Sequence, residues 1–482
     1  MKDIVLATIN AKWIHPSLAL RLLKANLDLL EDRCEIIEFN LRQPLAEKLA
    51  YFPAASPKIL GVSVSIWNHT ATVELFEELE KVWAAKNEKP VIVLGGPEVS
   101  HLPQEANIFR YADYVICGEG EVAFKTLCEN ILTGTQPCQL PKFIYAEPVN
   151  LNEIKSAYHL YTEEDIAKKL IYVEASRGCP FNCEFCLSAV KDAKRQSSVV
   201  REFPLEPFLA QMDVLVRRGV KTFKFLDRTF NLDAARASRI CKFFLEKIEE
   251  RKERGLIVHF EMVPSLFPLE LREILTRFPP GTLRLEIGIQ TLNSEVAARI
   301  GRPSNPEKEL ETICFLREKT NAIIHADLIA GLPGEDIESF GAGFDRLWLA
   351  LSETDKTSAA EHRYPCAEIQ LGILKLLPGA PISRHNNAFG MRYNRAPPYE
   401  IEETSSMSAV DIGRIKNFAR FWELIVNRGL VDWPSKNVNK DVFKKFLTLS
   451  DLLYAHFGRN WRIGKDELLE AAESLAKFEI FI

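Results

Sequence analysis

Apolar residues in the first ~130 positions fall into short runs separated by helix-length amphipathic stretches. Residues 4–9, 35–39, 59–65, 90–94 and 114–117 read as strands; 17–30 and 70–85 read as helices, and a further helix follows 121. Buried strands alternating with helices predict a parallel sheet covered on both faces. Residues 135–165 contain Pro137, Pro141 and Pro148 and only weak patterning, so they read as a connector. A second alternating series follows, with strands expected at 170–174, 222–226, 258–262, 283–289, 323–329 and 367–375. That spacing leaves room for one helix between each pair and predicts a partial (β/α)6 barrel. Residues 385–403 read as loop, and helical patterns occupy 411–428, 441–457 and 465–478. The expected fold class is α/β: a Rossmann-like (flavodoxin-like) parallel sheet, a partial barrel and a mostly helical C-terminal domain. The divisions expected are 1–145, a linker at 146–165, 166–384 and 385–482.

Composition narrows the picture. With 482 residues, 47% hydrophobic and 26% charged, the chain has the profile of a globular protein of two or three domains. Lys+Arg is 61 and Asp+Glu is 66, a formal balance of −5 that argues against a surface built to bind nucleic acid. No apolar run is long enough to span a bilayer, and Met1-Lys2-Asp3 leads directly into a strand, so a cytoplasmic location is expected. Ten cysteines in a chain this long do not form a disulfide framework. Seven are scattered and read as ordinary thiols. The other three share one short segment.

That segment is Arg177-Gly178-Cys179-Pro180-Phe181-Asn182-Cys183-Glu184-Phe185-Cys186, with the spacing C-x3-C-x2-C. Three thiolates on one loop can hold three irons of a cubane and leave the fourth open to a chelating ligand. A closed zinc site would need a fourth Cys or His, and His159 and His259 are distant in sequence. The segment resembles the cluster loop of radical S-adenosylmethionine (SAM) enzymes, with Phe185 as the aromatic residue before the third cysteine. The resemblance implies a 4Fe-4S cluster on Cys179, Cys183 and Cys186, with SAM chelating the open iron and cleaved by one electron to methionine and a 5′-deoxyadenosyl radical. It also implies SAM contacts on successive barrel strands. Asp227 lies in Phe225-Leu226-Asp227-Arg228-Thr229-Phe230-Asn231, where the family more often has Gly-Gly-Glu. Glu286 and Asp327 match ribose contacts, Gln290 and Arg302 match carboxylate contacts, and Leu332 lies in an adenine-edge segment, Asp327 to Glu335. A guanidinium suits a carboxylate because it can bind it bidentately.

The N-terminal sheet ends its strands in polar or Gly-rich loops, where parallel sheets bind ligands. These loops hold Ser63, Ser65, Trp67 and Asn68; Gly95, Gly96, Pro97 and Glu98; and Gly118, Glu119, Gly120 and Glu121. No third glycine completes a dinucleotide fingerprint. The order resembles the cobalamin-binding domain that precedes the barrel in a large radical SAM subfamily. It implies room for the nucleotide tail at Gly95 and Gly96, polar contacts from Ser63 or Ser65 and from Glu119 or Glu121, and Trp67 over the lower face of cobalt. The motif Asp-x-His-x-x-Gly is absent, and His15 stands outside any such pattern. Taken together, the resemblance implies a cobalamin-dependent radical SAM enzyme, a methyltransferase acting on an unactivated carbon of an unidentified substrate, with an electron donor such as a flavodoxin or ferredoxin. A non-methylating cyclase or oxidoreductase and a non-catalytic cobalamin or SAM sensor stay open. No catalytic residue stands out. Arg363, Tyr364 and Lys375 lie near the last barrel strand as candidates to face substrate.

Overall fold

The computed structural model of the chain describes residues 2–52, 57–86, 89–134, 140–189, 199–251, 255–352, 367–430 and 441–479. Arg363 and Tyr364, and the scattered Cys138 and Cys366, lie outside the described residues. The chain divides into two compact units. The first comprises Met1–Arg177, Arg201–Leu226 and Leu377–Gly379; the second comprises Gly178–Val200, Asp227–Leu376 and Ala380–Ile482.

The first unit begins with the expected alternation: β1 (Ile4–Asn10), α1 (Leu18–Ala25), β2 (Cys34–Asn40), α2 (Leu45–Tyr51), β3 (Ile59–Ser63), α3 (His69–Lys86), β4 (Val91–Gly95), β5 (Tyr114–Cys117), α4 (Glu121–Thr133) and β6 (Phe143–Tyr145). The sheet is parallel in the order β2-β1-β3-β4-β5-β6. Side chains alternate along a strand, so β1 serves two cores. Val5, Ala7 and Ile9 pack with Phe39, Leu75, Phe76 and Leu79, whereas Ile4 and Leu6 pack with Leu20, Phe124 and Leu127. Both faces are covered, which explains why every residue of β1 is buried. The connector reading is corrected here: Phe143–Tyr145 pairs with β5 as the sixth strand. Only three residues long and flanked by prolines, it is too short to show a period.

The same unit continues through α5 (Glu163–Lys168), β7 (Ile171–Val173), β8 (Ser176–Arg177), β9 (Arg201–Glu202), α6 (Leu205–Arg218) and β10 (Thr222–Phe225). Thr162 and Asp165 form a reciprocal capping box that starts α5. Strands β7 and β10 pair in parallel, Phe223 opposite Ile171. Strands β8 and β9 pair antiparallel, Arg177 opposite Arg201, and bracket the segment that carries the three cysteines.

The second unit contains α7 (Ala234–Arg251), β11 (Ile257–Met262), α8 (Leu269–Leu275), β12 (Leu283–Gln290), α9 (Ser294–Arg299), α10 (Pro306–Lys319), β13 (Ile323–Ala330), α11 (Ile337–Ser352) and β14 (Ala367–Ile373). Its strands are parallel in the order β14-β13-β12-β11. On β12, Leu283, Leu285, Ile287 and Ile289 are buried, whereas Arg284, Glu286, Gly288 and Gln290 share the other, half-buried face. The segment expected as loop at 385–403 carries a small antiparallel pair, β15 (Arg392–Tyr393) and β16 (Ile401–Glu403). Among the described residues there follow α12 (Ala409–Trp422), continued by a π-helical turn at Glu423–Asn427, then α13 (Val442–Phe457) and α14 (Lys465–Glu479). An aromatic cluster joins α12 and α13 to α11, with Phe344 edge-on to Trp422 at 4.8 Å and Phe418 edge-on to Phe446 at 4.9 Å. The α/β class with a helical C-terminal part is as the sequence predicts. No helix among the described residues is long and apolar enough to cross a membrane.

Candidate functional site

The cysteine loop is fixed largely through its backbone. Cys186 N donates to Cys183 O at 2.9 Å, and Ala189 N to Cys186 O at 3.0 Å. Ser188 N donates to Cys186 Sγ at 3.4 Å, and Cys179 Sγ lies 3.6 Å from Thr229 Oγ1. Cys183 is buried; Cys179 and Cys186 are partly open. Among the described residues, no three Cys, His, Asp or Glu side chains converge as ligands of one ion. Three thiols on one loop suit three corners of a cubane, which need not converge on one ion. Burial pushes the Cys183 thiol up, and the Arg302 guanidinium beside it opposes that push.

Of the residues expected to contact SAM, Phe185 lies on the cysteine loop, Asp227 just after Leu226, Glu286, Gln290 and Asp327 on β12 and β13, and Arg302 and Leu332 beyond those strands. Asp227 and Asn231 are buried. Asn231 Nδ2 donates to Val263 O at 2.9 Å and its Oδ1 accepts from Val263 N at 3.0 Å, while Phe230 stacks on Phe260 at 3.8 Å. The register of β12 against β13 shifts between Gly288 and Gln290, and Gln290 takes a left-handed φ of 69°, rare for a residue with a side chain. The buried Arg302 donates from Nη2 to Gly288 O, and its Nε has no hydrogen-bond partner among the described residues. Asp327 is aligned with Gly288 across β12 and β13. The Leu332 side chain is fully buried, so it faces the core.

Two groups near these positions gave no signal in the sequence. Register aligns Glu261, Glu286, His325 and Glu368 in one row across β11 to β14. His259 Nε2 lies 3.3 Å from Glu286 Oε2, His325 Nδ1 lies 2.9 Å from Glu368 Oε2, and the two imidazoles stack with centroids 5.7 Å apart. His325 Nε2 is buried without a hydrogen-bond partner among the described residues. The other group is Glu335, which accepts from Thr291 Oγ1 at 2.6 Å; burial pushes its carboxyl up to about 7. Isolated histidines and a glutamate in a turn look ordinary in sequence. Only strand register shows that the histidines share one face.

The three N-terminal loops meet at the carboxyl edge of their sheet. Val64 N donates to Gly95 O at 2.8 Å, Glu98 N to Val64 O at 3.2 Å, and Gly118 N to Ser100 Oγ at 3.2 Å. Gly96 has φ 104°, and a Cβ there would lie 2.5 Å from Val64 O, so only glycine fits. Gly95 has more room, with Ile116 O at 3.7 Å from an added Cβ. Trp67 is 52% exposed, which makes it a surface ring at the strand end rather than core. Pro97 is exposed, Ser63 is half-buried and Ser65 is buried. Thr72 Oγ1 is a buried hydroxyl with no hydrogen-bond partner among the described residues, beside a small cavity that Thr8 and Val62 also line. Gly96 is thus required by the approach of Val64 and Thr72 lies in the apolar core, so the features of this edge that suit a bulky ligand are the room at Gly95 and the exposed Trp67 and Pro97.

Three expected cobalamin contacts, Asn68, Glu119 and Glu121, have partners inside the protein. Asn68 is fully buried; its Oδ1 accepts from Ser65 N at 2.8 Å and its Nδ2 donates to Ile9 O at 3.0 Å. Glu119 pairs with Arg201 and with Arg177 at 3.3 Å, and Glu121 pairs with Arg177 at 2.7 Å. Glu174 also pairs with Arg177, at 2.7 Å. Burial opposes ionisation of Glu119, but the Arg201 hydrogen bond and the two guanidinium charges hold it below its ordinary range. These side chains set the loops. His15 Nδ1 lies 2.9 Å from Tyr172 Oη, so it too has a partner within the protein.

Two family models match separate segments of the chain. Residues 173–347 match the Radical SAM superfamily and residues 4–128 match the B12 binding domain. An uncharacterized methyltransferase of Pyrococcus horikoshii is 25% identical over 324 residues, a match covering 62% of this chain and 67% of that protein. The bacteriochlorophyllide d C-12(1)-methyltransferase of Chlorobaculum tepidum is 23% identical over 274 residues, covering 54% of this chain and only 55% of its own length. Among solved structures, the radical SAM methyltransferase TsrM of Kitasatospora setae, with cobalamin and a [4Fe-4S] cluster bound, aligns with a TM-score of 0.62 at 16% identity. That alignment covers 99% of this chain and 100% of that chain. At such identity the likeness speaks to fold.

Proposed function

Since the chain belongs to the radical SAM superfamily and carries a B12-binding domain ahead of its barrel, we propose that it is a cobalamin-dependent methyltransferase that methylates an unactivated carbon. One observation carries the reading: a three-thiol loop suited to an open cubane and a sheet edge suited to a corrin occur in one chain. When bound, the cluster and SAM supply one-electron cleavage of SAM, and cobalamin supplies a methyl carrier. Cys179, Cys183 and Cys186 would hold the cluster. Arg302 would bind the carboxylate of SAM through its unpartnered Nε, and the strained Gln290 would present its amide beside it. Glu286 and Asp327 would accept from ribose hydroxyls, Asp227 would meet the amino group, and Phe185 and the backbone at Leu332 would line the site. Gly95, Gly96, Pro97, Gly118, Ser63, Ser65 and Trp67 would form the corrin site, with Asn68, Glu119 and Glu121 as supports of its loops. An electron donor such as a flavodoxin or ferredoxin would reduce the cluster.

Cofactor loading tests this reading directly. Protein purified without oxygen and reconstituted should hold about four irons, three of them bound by cysteine, and one cobalamin. Loss of the iron in Cys179→Ala, Cys183→Ala and Cys186→Ala variants, with cobalamin retained, is the expected result. Iron retained in the triple variant, or folded protein that takes up no cobalamin, would overturn the assignment.

A further inference from the structure

Glu184 lies between the second and third cysteines, yet its side chain is only 9% exposed. A buried carboxylate is tolerated only when paired and hydrogen-bonded. Its partners come from far along the chain. His385 Nε2 lies 2.9 Å from Glu184 Oε2, and Arg384 pairs with the other oxygen. The backbone is tied as well: Glu184 N donates to Ile300 O and Ile382 N donates to Glu184 O, each at 3.0 Å. The cysteine loop is thus held by the segment Pro381–His385.

The contacts run on in the other direction. The His385 ring meets Phe389 at 5.8 Å. The guanidinium of Arg299 sits over the Phe389 ring at 4.8 Å and donates to Pro333 O at 2.6 Å. Gly334 packs so close that a Cβ there would lie 2.5 Å from Arg299 and 2.9 Å from Phe389, and its φ is 78°. Glu184, His385, Phe389 and Arg299 therefore link the cysteine loop to the turn at Pro333 and Gly334, the segment matched above to the adenine edge.

We infer that this chain of contacts is a strut, with Glu184, His385, Phe389 and Arg299 as positioning residues that hold the cysteine loop at a fixed distance from the adenine-edge turn. The inference rests on the reading of these two segments as cluster and SAM sites. It gives the segment after β14 a defined role: the sequence places a carboxylate between two ligand cysteines, and the cation and imidazole that keep it buried lie some 200 residues later. Without them Glu184 would turn to water and carry the loop with it.

The test begins with the metal-free full chain, so that it does not depend on the cluster. Iodoacetamide labelling of individual cysteines is followed by mass spectrometry in wild type, His385→Ala, His385→Gln and Phe389→Leu. Local opening of a loop that loses its tether should raise Cys183 labelling about tenfold in His385→Ala. His385→Gln, which can still donate to Glu184, should restore most of the protection. Cys241, fully buried in α7, serves as the control. Unchanged Cys183 labelling in both His385→Ala and Phe389→Leu would overturn the strut. Should His385→Ala also expose Cys241, Phe389→Leu decides: faster Cys183 labelling there supports the strut and an unchanged rate refutes it. In reconstituted protein, Arg299→Lys should bind SAM about tenfold more weakly with iron content unchanged. If wild type takes up no iron, the cluster reading fails, and the labelling result still judges the strut.

Discussion

Cys183 and Arg302 form a buried pair in which burial raises the thiol and the neighbouring guanidinium draws it back. Arg302 also anchors itself on Gly288 O, two residues before the strained Gln290. One side chain thus touches the cysteine loop and the end of β12, which suits a residue that binds a ligand of the open iron.

Arg302→Ala should therefore weaken SAM binding while leaving the cluster in place. A charge-assisted hydrogen bond contributes about 1.5–3 kcal/mol, so the dissociation constant should rise roughly 10- to 150-fold. Equilibrium dialysis of SAM against reconstituted wild type and variant measures it. Unchanged affinity would mean that the end of β12 is not where the carboxylate binds.

Glu335 makes stability depend on pH. Burial raises its carboxyl from 4.5 to about 7, so the folded state holds a proton that the unfolded state has already lost in that window. Stability should fall as pH rises from about 4.5 to 7, by on the order of 3 kcal/mol in total from this group. Glu335→Gln, which keeps the size and the Thr291 contact, should flatten that part of the profile. Thermal melts of wild type and variant at pH 5 and pH 8 give the comparison; parallel profiles would contradict the assignment.

Arg177 holds Glu119, Glu121 and Glu174 together at 13% exposure. Arg177→Ala would leave these carboxylates without their shared cation, a loss of about 3–5 kcal/mol for a broken buried pair. Adding Glu121→Gln and Glu174→Gln should recover part of that loss, because the uncompensated charge is then gone. A triple variant no more stable than Arg177→Ala would show that the arginine acts through packing alone.

Much of this was legible in the chain. The alternation on β12 and the apolar runs of β1 to β5 mark their strands because burial on one face or both leaves a period. The three cysteines stand out because their chemistry is local. Strand β6 and the β15–β16 pair are too short to leave a period. Glu119 and Glu121 read as candidate ligand contacts because their loop lies at a sheet edge; their pairing with Arg177 and Arg201, distant in sequence, shows only in the fold. His259 and His325, like Glu184 and His385, meet only after folding, and no spacing rule connects them.

For cobalamin, the partner that His15 has in Tyr172 argues that its imidazole is not the cobalt ligand. His15→Ala should leave the absorption spectrum of bound cobalamin unchanged, whereas Gly95→Trp should block binding by filling the space beside Ile116 O. A spectral shift in His15→Ala would place the imidazole on cobalt.

The central claim is tested most directly by counting what SAM becomes. Reconstituted protein with cobalamin, SAM and a strong reductant, incubated without oxygen, should release 5′-deoxyadenosine as well as S-adenosylhomocysteine, the mark of a donated methyl group. Removing cobalamin should abolish the second product, and replacing Cys179, Cys183 and Cys186 with Ala should abolish the first. Cluster-loaded, cobalamin-loaded protein that yields 5′-deoxyadenosine but no S-adenosylhomocysteine would contradict methyl transfer, and protein that yields neither would contradict radical chemistry.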